Sequence, residues 1–174
     1  FIPASGKYER QAQDESWVTK TTNFLQQGPV CCLSKAGEEK IRALSDLANP
    51  GLKIAVGNSI TAALGQSWAQ IMTRLPKGQA EAINANMGVE AAQANQVVQY
   101  INTDVIDAGL SFDSIAKANG FAYVEIPATA NEPETSHITI LKFSRHTPED
   151  LALVKQYILD NIEIFEKAGY AAAK

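Results

Sequence analysis

Cysteine is scarce in this 174-residue chain, with two only, adjacent as Cys31-Cys32 inside the apolar run Pro29-Val30-Cys31-Cys32-Leu33. There is no CxxC pair and no Cys-rich framework, and neighbours on a strand point to opposite faces, so a bond between the two would be strained. They read as two small apolar strand residues. Basic charge is in deficit: 15 Lys and Arg stand against 19 Asp and Glu, a net charge of −4. That balance argues against nucleic acid as a partner. Apolar runs are short, and none approaches the roughly 20 residues needed to span a bilayer, so the chain reads as not membrane-spanning. The opening Phe1-Ile2-Pro3-Ala4-Ser5 lacks the basic start and long apolar stretch of a signal peptide. For an exported protein, the signal was removed or lies outside this chain. The two histidines, His137 and His146, have no neighbouring Cys and no HExxH spacing, which argues against a metal site. GxSxG, Walker A and GxGxxG motifs are all missing. Asp104, Asp107 and Asp113 cluster around one strand and read as a solvated rim. Nothing indicates covalent or acid–base catalysis, so the chain reads as no enzyme.

What is there is ordinary in bulk and informative in order. Hydrophobic residues at 45% and charged residues at 20% match a soluble globular protein and exclude a disordered chain, a collagen-like repeat and a coiled coil. Strands are expected at Lys53–Val56, Val105–Leu110, Phe121–Ile126 and Ile138–Phe143, each β-branched and bounded by turn residues. Helices are expected at Lys7–Lys20, Thr61–Leu75 and Ala91–Ile101. In the second, Leu64, Trp68, Ile71, Met72 and Leu75 recur at helical spacing. Trp17 and Trp68 read as core. Helices alternating with strands imply an α/β fold with a largely parallel sheet.

The last helix is the best delimited. Thr147-Pro148-Glu149-Asp150 supplies an N-cap, a first-turn proline and acidic residues at the positive helix end. Leu151, Val154, Ile158, Ile162 and Phe165 form one apolar stripe read as core packing, and Gly169 ends the helix. Two segments break periodicity, Gln26-Gln27-Gly28-Pro29 and Ala128–Thr135. From composition they read equally as crossings between two lobes or as surface turns.

Ligands of open α/β sheets bind beyond the carboxyl ends of the strands. Three junctions qualify: Phe1–Gly6 before the first helix, Gly57-Asn58-Ser59-Ile60-Thr61 after the strand 53–56, and Ser111-Phe112-Asp113-Ser114 after the strand 105–110. Helix N-termini there would present unpaired N–H groups to an anion without Lys or Arg. The plainer reading is that Ser5, Thr61 and Asp113 cap their helices.

The string Ile41–Gly57, IRALSDLANPGLKIAVG, resembles the segment entering the second lobe of molybdate-binding proteins, the extracytoplasmic receptors of ABC importers. Phe1–Ser5 resembles the end of that family's Asp-Val-Phe-Ala-Ser-Ala stretch. Asp107–Phe112 resembles its Ala-Gly-Ile-Val-Tyr strand end, and Ile162–Tyr170 its closing helix. The resemblance implies an α/β, two-lobed type II periplasmic binding fold with an incomplete first lobe, because the family's opening quarter to third lies upstream of the Phe1 match. It places residues 1–34 and 135–174 in the first lobe and 35–134 in the second.

By position, the resemblance makes Ala4 the first-lobe amide donor, beside Ser5. It puts Leu64 at the loop position that donates an amide from the second lobe, with Ser59 and Thr61 nearby, and makes Ala94 the donor opening the next helix. Phe112 stands where the family has a ligand-binding tyrosine. A phenyl ring cannot donate, and a lost hydrogen bond to a charged ligand costs about 1.5–3 kcal/mol. The implied function is capture of an oxyanion such as molybdate or tungstate between two lobes, followed by docking on an ABC permease. No cofactor is implied, and the expected location is periplasmic. The competing reading is the ligand-sensing domain of a transcription regulator, cytoplasmic and preceded by a helix-turn-helix; an export signal upstream would decide for the receptor.

Overall fold

The computed structural model describes residues 1–3, 6–59 and 62–173, with backbone alone at Lys7, Ala63 and Ala94. It divides into two compact units, residues 1–27 with 133–174 and residues 28–132. In chain order the elements are α1 (Gly6–Asp14), β1 (Val18–Gln27), β2 (Pro29–Leu33), α2 (Lys35–Lys40), a 3-10 turn (Leu44–Ala48), β3 (Ile54–Gly57), α3 (Ala63–Arg74) and α4 (Lys77–Ala85). There follow β4 (Met87–Ala91), α5 (Ala94–Asn102), β5 (Ala108–Phe112), α6 (Asp113–Asn119), β6 (Tyr123–Glu125), β7 (Glu134–Leu141), α7 (Pro148–Asp160), α8 (Ile162–Lys167) and β8 (Ala171–Ala172).

The unit of residues 28–132 is built on a five-stranded sheet in the order β4-β3-β5-β2-β6. β3 runs parallel to β4 and β5, whereas β2 pairs antiparallel with β5 and β6. The sheet is therefore mixed, and the expected parallel arrangement covers β4-β3-β5 alone. β2 starts where β5 finishes, with Pro29 opposite Phe112, and so must run the other way. Its five residues are all buried, as in a strand covered on both faces. Cys31 and Leu33 join Val56, Trp68, Ile71 and Leu110 on one side; Val30 and Cys32 join Ala55, Val97, Ile101 and Ile106 on the other. Both cysteines are free and buried on opposite faces, as their adjacency predicts.

Several expectations need correction. β2 was expected in the first lobe with residues 1–34, but its pairing with β5 and β6 places it in the sheet of residues 28–132. The strand expected over 105–110 is shifted to 108–112. Asp107, read as part of a solvated rim, is buried. Its carboxylate accepts the Lys53 N–H at 2.8 Å and the Lys40 ammonium at 2.6 Å, tying the start of β5 to the segments before β3 and at the end of α2. The first helix stops at Asp14, Ser16 turns the chain with φ 57°, and the β-branched residues from Val18 onward form β1 instead.

The other unit holds a three-stranded antiparallel sheet, β7-β1-β8. Its small core is Phe24, Leu25 and Ile138, against which Ile158, Leu159, Ile162, Phe165 and Tyr170 pack. Phe24 meets Phe165 edge-on, with ring centres 4.9 Å apart. Thr147 caps α7 by accepting the Asp150 N–H at 3.2 Å, with Pro148 in the first turn, and Gly169 adopts φ 99° after α8. The apolar stripe is core only in part: Ile158, Ile162 and Phe165 pack, and Val154 does not. No described residue of α7 is fully buried, and Val154 is exposed. Trp17 is also exposed and rests edge-on against Phe143, whereas Trp68 is core as expected.

Candidate functional site

The carboxyl ends of β3, β4 and β5 lie together because the three strands are parallel, with Gly57 opposite Ala91. From these ends the chain enters α3, α5 and α6. The loop after β3 is sewn to the end of β4. The Asn58 N–H donates to the Ala91 carbonyl at 2.9 Å, and Asn58 Nδ2 donates to Glu90 Oε1 at 2.6 Å. The loop then closes on itself through the Ala62 N–H and the Asn58 carbonyl, 2.9 Å apart.

Glycine at position 65 makes this closure possible. A Cβ there would lie 2.3 Å from the Asn58 carbonyl oxygen and 2.4 Å from that of Gly57, far inside contact distance. The first turn of α3 can rest on the end of β3 only without that carbon.

The three helices open without side-chain caps. The residues at their N-caps are Ala62, Gln93 and Phe112, and none makes a side-chain capping bond. In an α-helix the first amides have no acceptor within the helix. At α3 these include the N–H groups of Ala63 and Leu64, and at α5 those of Ala94 and Asn95. The third amide of α5 is satisfied locally, since the Gln96 N–H reaches the Gln93 carbonyl at 3.1 Å, while Gln96 Oε1 accepts the Ala92 N–H at 2.8 Å. Two helix ends thus offer backbone donors and positive dipole ends at the carboxyl end of the sheet, α3 from one face and α5 from the other, and such ends suit a small anion.

Of the residues singled out from sequence, Ser59, Leu64, Ala94 and Phe112 come to this end of the sheet. Ser59 is exposed in the turn after β3. Leu64 lies in the first turn of α3 rather than in a loop, and its side chain is buried in the core, so only its amide is offered. Ala94 is the first residue of α5. Phe112 ends β5, half-buried, with its ring packed against the core that includes Leu110 and Ala108. Ala4, Ser5 and Thr61 lie outside the described residues, as do the capping roles considered for Ser5 and Thr61.

Asp113 is no cap. It is the first residue of α6, and its carboxylate turns back to accept the Gly28 N–H at 2.9 Å and the Lys117 ammonium at 2.7 Å. The bond to Asp113 raises the Lys117 pKa, against a smaller opposing effect of burial. Burial pushes the Cys32 thiol up to about 12, with the Ser111 hydroxyl acting the other way and the Asp113 charge adding to the rise. Burial also raises Cys31. Both thiols are protonated at neutral pH and are not nucleophiles. Among the described residues, no group of His, Cys, Asp and Glu is placed to hold a metal ion. His137 instead pairs with Glu9 of α1 within the other unit. Sequence reasoning missed the Asp113–Gly28 tie and the Gly57–Gly65 approach; the glycines at 57 and 65, flanking the start of a helix, were the available signal.

Residues 1–171 match the family described as bacterial extracellular solute-binding protein. The chain belongs to that family. No curated protein matches the sequence. The substrate-binding domain of a molybdenum ABC transporter from Clostridium difficile superposes with a TM-score of 0.81 at 18% identity, covering 100% of this chain and 76% of that one. PEB3 bound to L-phospholactate gives 0.75 at 18% identity over 98% and 78%; Peb3 has also been solved from Campylobacter jejuni. The periplasmic molybdate-binding protein of Azotobacter vinelandii gives 0.70 at 19% identity over 100% and 78%. The expected fold, α/β of the type II periplasmic binding class, is the observed one. As a family member the chain is a solute-binding protein, and no helix among its described residues is long and apolar enough to cross a membrane.

Proposed function

We propose that this solute-binding protein captures a small tetrahedral oxyanion of the molybdate or tungstate kind and delivers it to the permease of an ABC importer. In this reading it acts in the periplasm, performs no catalysis and needs no cofactor beyond its bound anion. The observation that carries the proposal is the pair of helix ends without side-chain caps at α3 and α5, which follow the carboxyl ends of the neighbouring parallel strands β3 and β4. Family membership supports it, as do neighbours named for molybdate and one solved with L-phospholactate, whose phosphate is also a tetrahedral oxyanion.

The donors in this proposal are the amides of Leu64 and Ala94 and the hydroxyls of Ser59 and Thr61, with Ala4 and Ser5 as the first-lobe contribution. Phe112 borders them without donating. Hydrogen bonds to a charged group are worth about 1.5–3 kcal/mol each, so a few suffice for tight capture. A site of neutral donors carries no formal charge, and its affinity should fall only mildly as ionic strength rises. Several Lys or Arg contacts would instead weaken steeply through screening.

The test is calorimetric titration with molybdate, tungstate, sulfate, phosphate and L-phospholactate at low and high salt. One-to-one binding of at least one of them, little changed by salt, is expected. Silence toward all five, or loss of most affinity with salt, would overturn the reading.

A further inference from the structure

Alternate residues of β7 point to opposite sides of its sheet. Ile138 joins the core under α7 and α8, and His137 takes the other side, where α1 packs. Glu9 of α1 pairs there with Nδ1 of His137, and Gln13 Nε2 reaches Glu9 Oε1 at 3.5 Å. Glu9 is only 4% exposed. A carboxylate at that depth is costly unless a partner meets it. Little else holds α1 to the strand. Its sequence, GKYERQAQD, contains no Leu, Ile, Val, Met or Phe, and Ala12 is its one other described side chain that is fully buried. A single buried methyl supplies little hydrophobic burial, so the Glu9–His137 pair is what fixes α1 on β7.

The same strand holds the chain a second time. Two residues along β7, the Thr139 N–H donates to the Phe1 carbonyl at 2.8 Å. Phe1 and Glu9 thus meet β7 at positions about 7 Å apart along the strand. Between these two anchors in sequence lie Ala4 and Ser5, followed directly by α1 from Gly6. Phe1 is tied through its main chain, so the side-chain contact that sets where α1 begins is that of Glu9 with His137. An apolar contact tolerates sliding, whereas one buried polar pair fixes register.

We propose that Glu9 and His137 are the positioning pair of the anion site: by fixing α1 on β7 they fix the Ala4-Ser5 segment that leads into it. The proposal rests on the reading that Ala4 and Ser5 contribute to that site. Neither Glu9 nor His137 is a ligand in this assignment; both act through α1. The Glu9 carboxylate accepts the proton on His137 Nδ1, and a glutamine at position 9 would still accept it through its amide oxygen. Alanine at either position removes the contact and leaves the other partner buried without it.

The experiment compares the wild type with Glu9→Gln, Glu9→Ala, His137→Ala and the double alanine variant. Hydrogen exchange across α1, affinity for molybdate and L-phospholactate, and melting temperature are read for all five proteins. Glu9→Ala and His137→Ala should each speed exchange of α1 and weaken binding by at least about tenfold. The double variant should bind no more weakly than either single one, because both remove the same contact. Glu9→Gln should keep most of the affinity, and exchange across α3 and α5 should not change in any variant. If Glu9→Ala does not fold, His137→Ala set against Glu9→Gln makes the same comparison. Unchanged exchange of α1 in the alanine variants would overturn the proposal, as would faster exchange with affinity unchanged. Losses that add in the double variant would also overturn it, by showing two independent roles. Those failures leave wild-type binding intact; silence of the wild type toward molybdate, tungstate, sulfate, phosphate and L-phospholactate would instead overturn the site reading, and the proposal with it.

Discussion

Asp113 and Gly28 are bonded twice. The Asp113 N–H donates to the Gly28 carbonyl at 2.9 Å, and the Gly28 N–H donates to Asp113 Oδ1 at 2.9 Å. Gly28 is the first residue of its unit, so this pair fixes the point at which the chain enters it. Near the point of exit, Asn131 Nδ2 donates to the Pro29 carbonyl at 3.1 Å, and Arg74 pairs with Glu132 at 2.7 Å. Entry and exit are thus both held at the same end of β2 and β5, beside Phe112.

Replacing Asp113 by alanine leaves the part-buried Gly28 N–H without its acceptor. We expect a loss of about 1–3 kcal/mol in urea unfolding. Asp113→Asn retains an acceptor oxygen and gives up the Lys117 pair, which as an exposed i,i+4 contact is worth only about 0.3–0.5 kcal/mol. Equal costs for the two variants would show that the charge, not the amide acceptor, matters.

Gly65→Ala should be more damaging than its size suggests. The added methyl meets two backbone carbonyl oxygens that cannot turn aside as a side chain would. Overpacking of this kind typically costs about 1–3 kcal/mol, and relief requires the first turn of α3 to move off β3. Binding of molybdate or L-phospholactate should therefore weaken beyond the loss in stability, as titration of the folded variant would reveal. Unchanged affinity would remove the α3 end from the site.

Phe112→Tyr adds one hydroxyl to a half-buried ring packed against the Leu110 side of the sheet. If the ring borders the anion, the new donor should tighten molybdate or tungstate binding by up to about 1.5–3 kcal/mol. The melting temperature without ligand should change little. Absence of any gain for a tetrahedral oxyanion would leave Phe112 a packing residue.

The adjacent thiols should be inert in the native protein. Burial holds both pKa values above the ordinary range, Cys32 at about 12, so neither is a thiolate at neutral pH. A thiol-reactive dye should label neither cysteine until denaturant is added, and then both. Rapid labelling of the native chain would contradict the burial of β2.

Glu134 provides a pH test confined to its own unit. Burial raises its pKa above the ordinary 4.5, partly offset by Arg10. A carboxyl raised in the folded state contributes stability that is full below its unfolded pKa and is lost as pH rises through the folded value. Glu134→Gln should therefore stabilise the protein at neutral pH. That advantage should shrink as melts are repeated toward about pH 4.5, the group's ordinary pKa. A variant less stable than wild type at neutral pH would mean that the Arg10 attraction outweighs burial.

Local chemistry was legible wherever a residue's role depends on its immediate neighbours. Thr147-Pro148 starting the last helical segment, Gly169 turning the chain after it, the opposed faces of Cys31 and Cys32, and the strand-to-helix step at Gly57 all follow from backbone stereochemistry and short-range periodicity, whereas the break of that segment into α7 and α8 at Asn161 does not. The order of Phe1–Ser5, Ile41–Gly57, Asp107–Phe112 and Ile162–Tyr170 along the chain was enough to indicate the receptor class. The tertiary structure decided everything that depends on what lies alongside. Residues 29–33 read as a strand on their own, but only pairing with β5 and β6 assigns them to the sheet of residues 28–132. Asp107 looks like surface until the Lys53 amide and Lys40 close on it. Asp113 looks like a cap until Gly28, distant in sequence, comes within reach. The stripe of α7 had the spacing of a core helix, and spacing records only that a face is apolar. Whether such a face is covered depends on the mass packed against it, which no local pattern encodes.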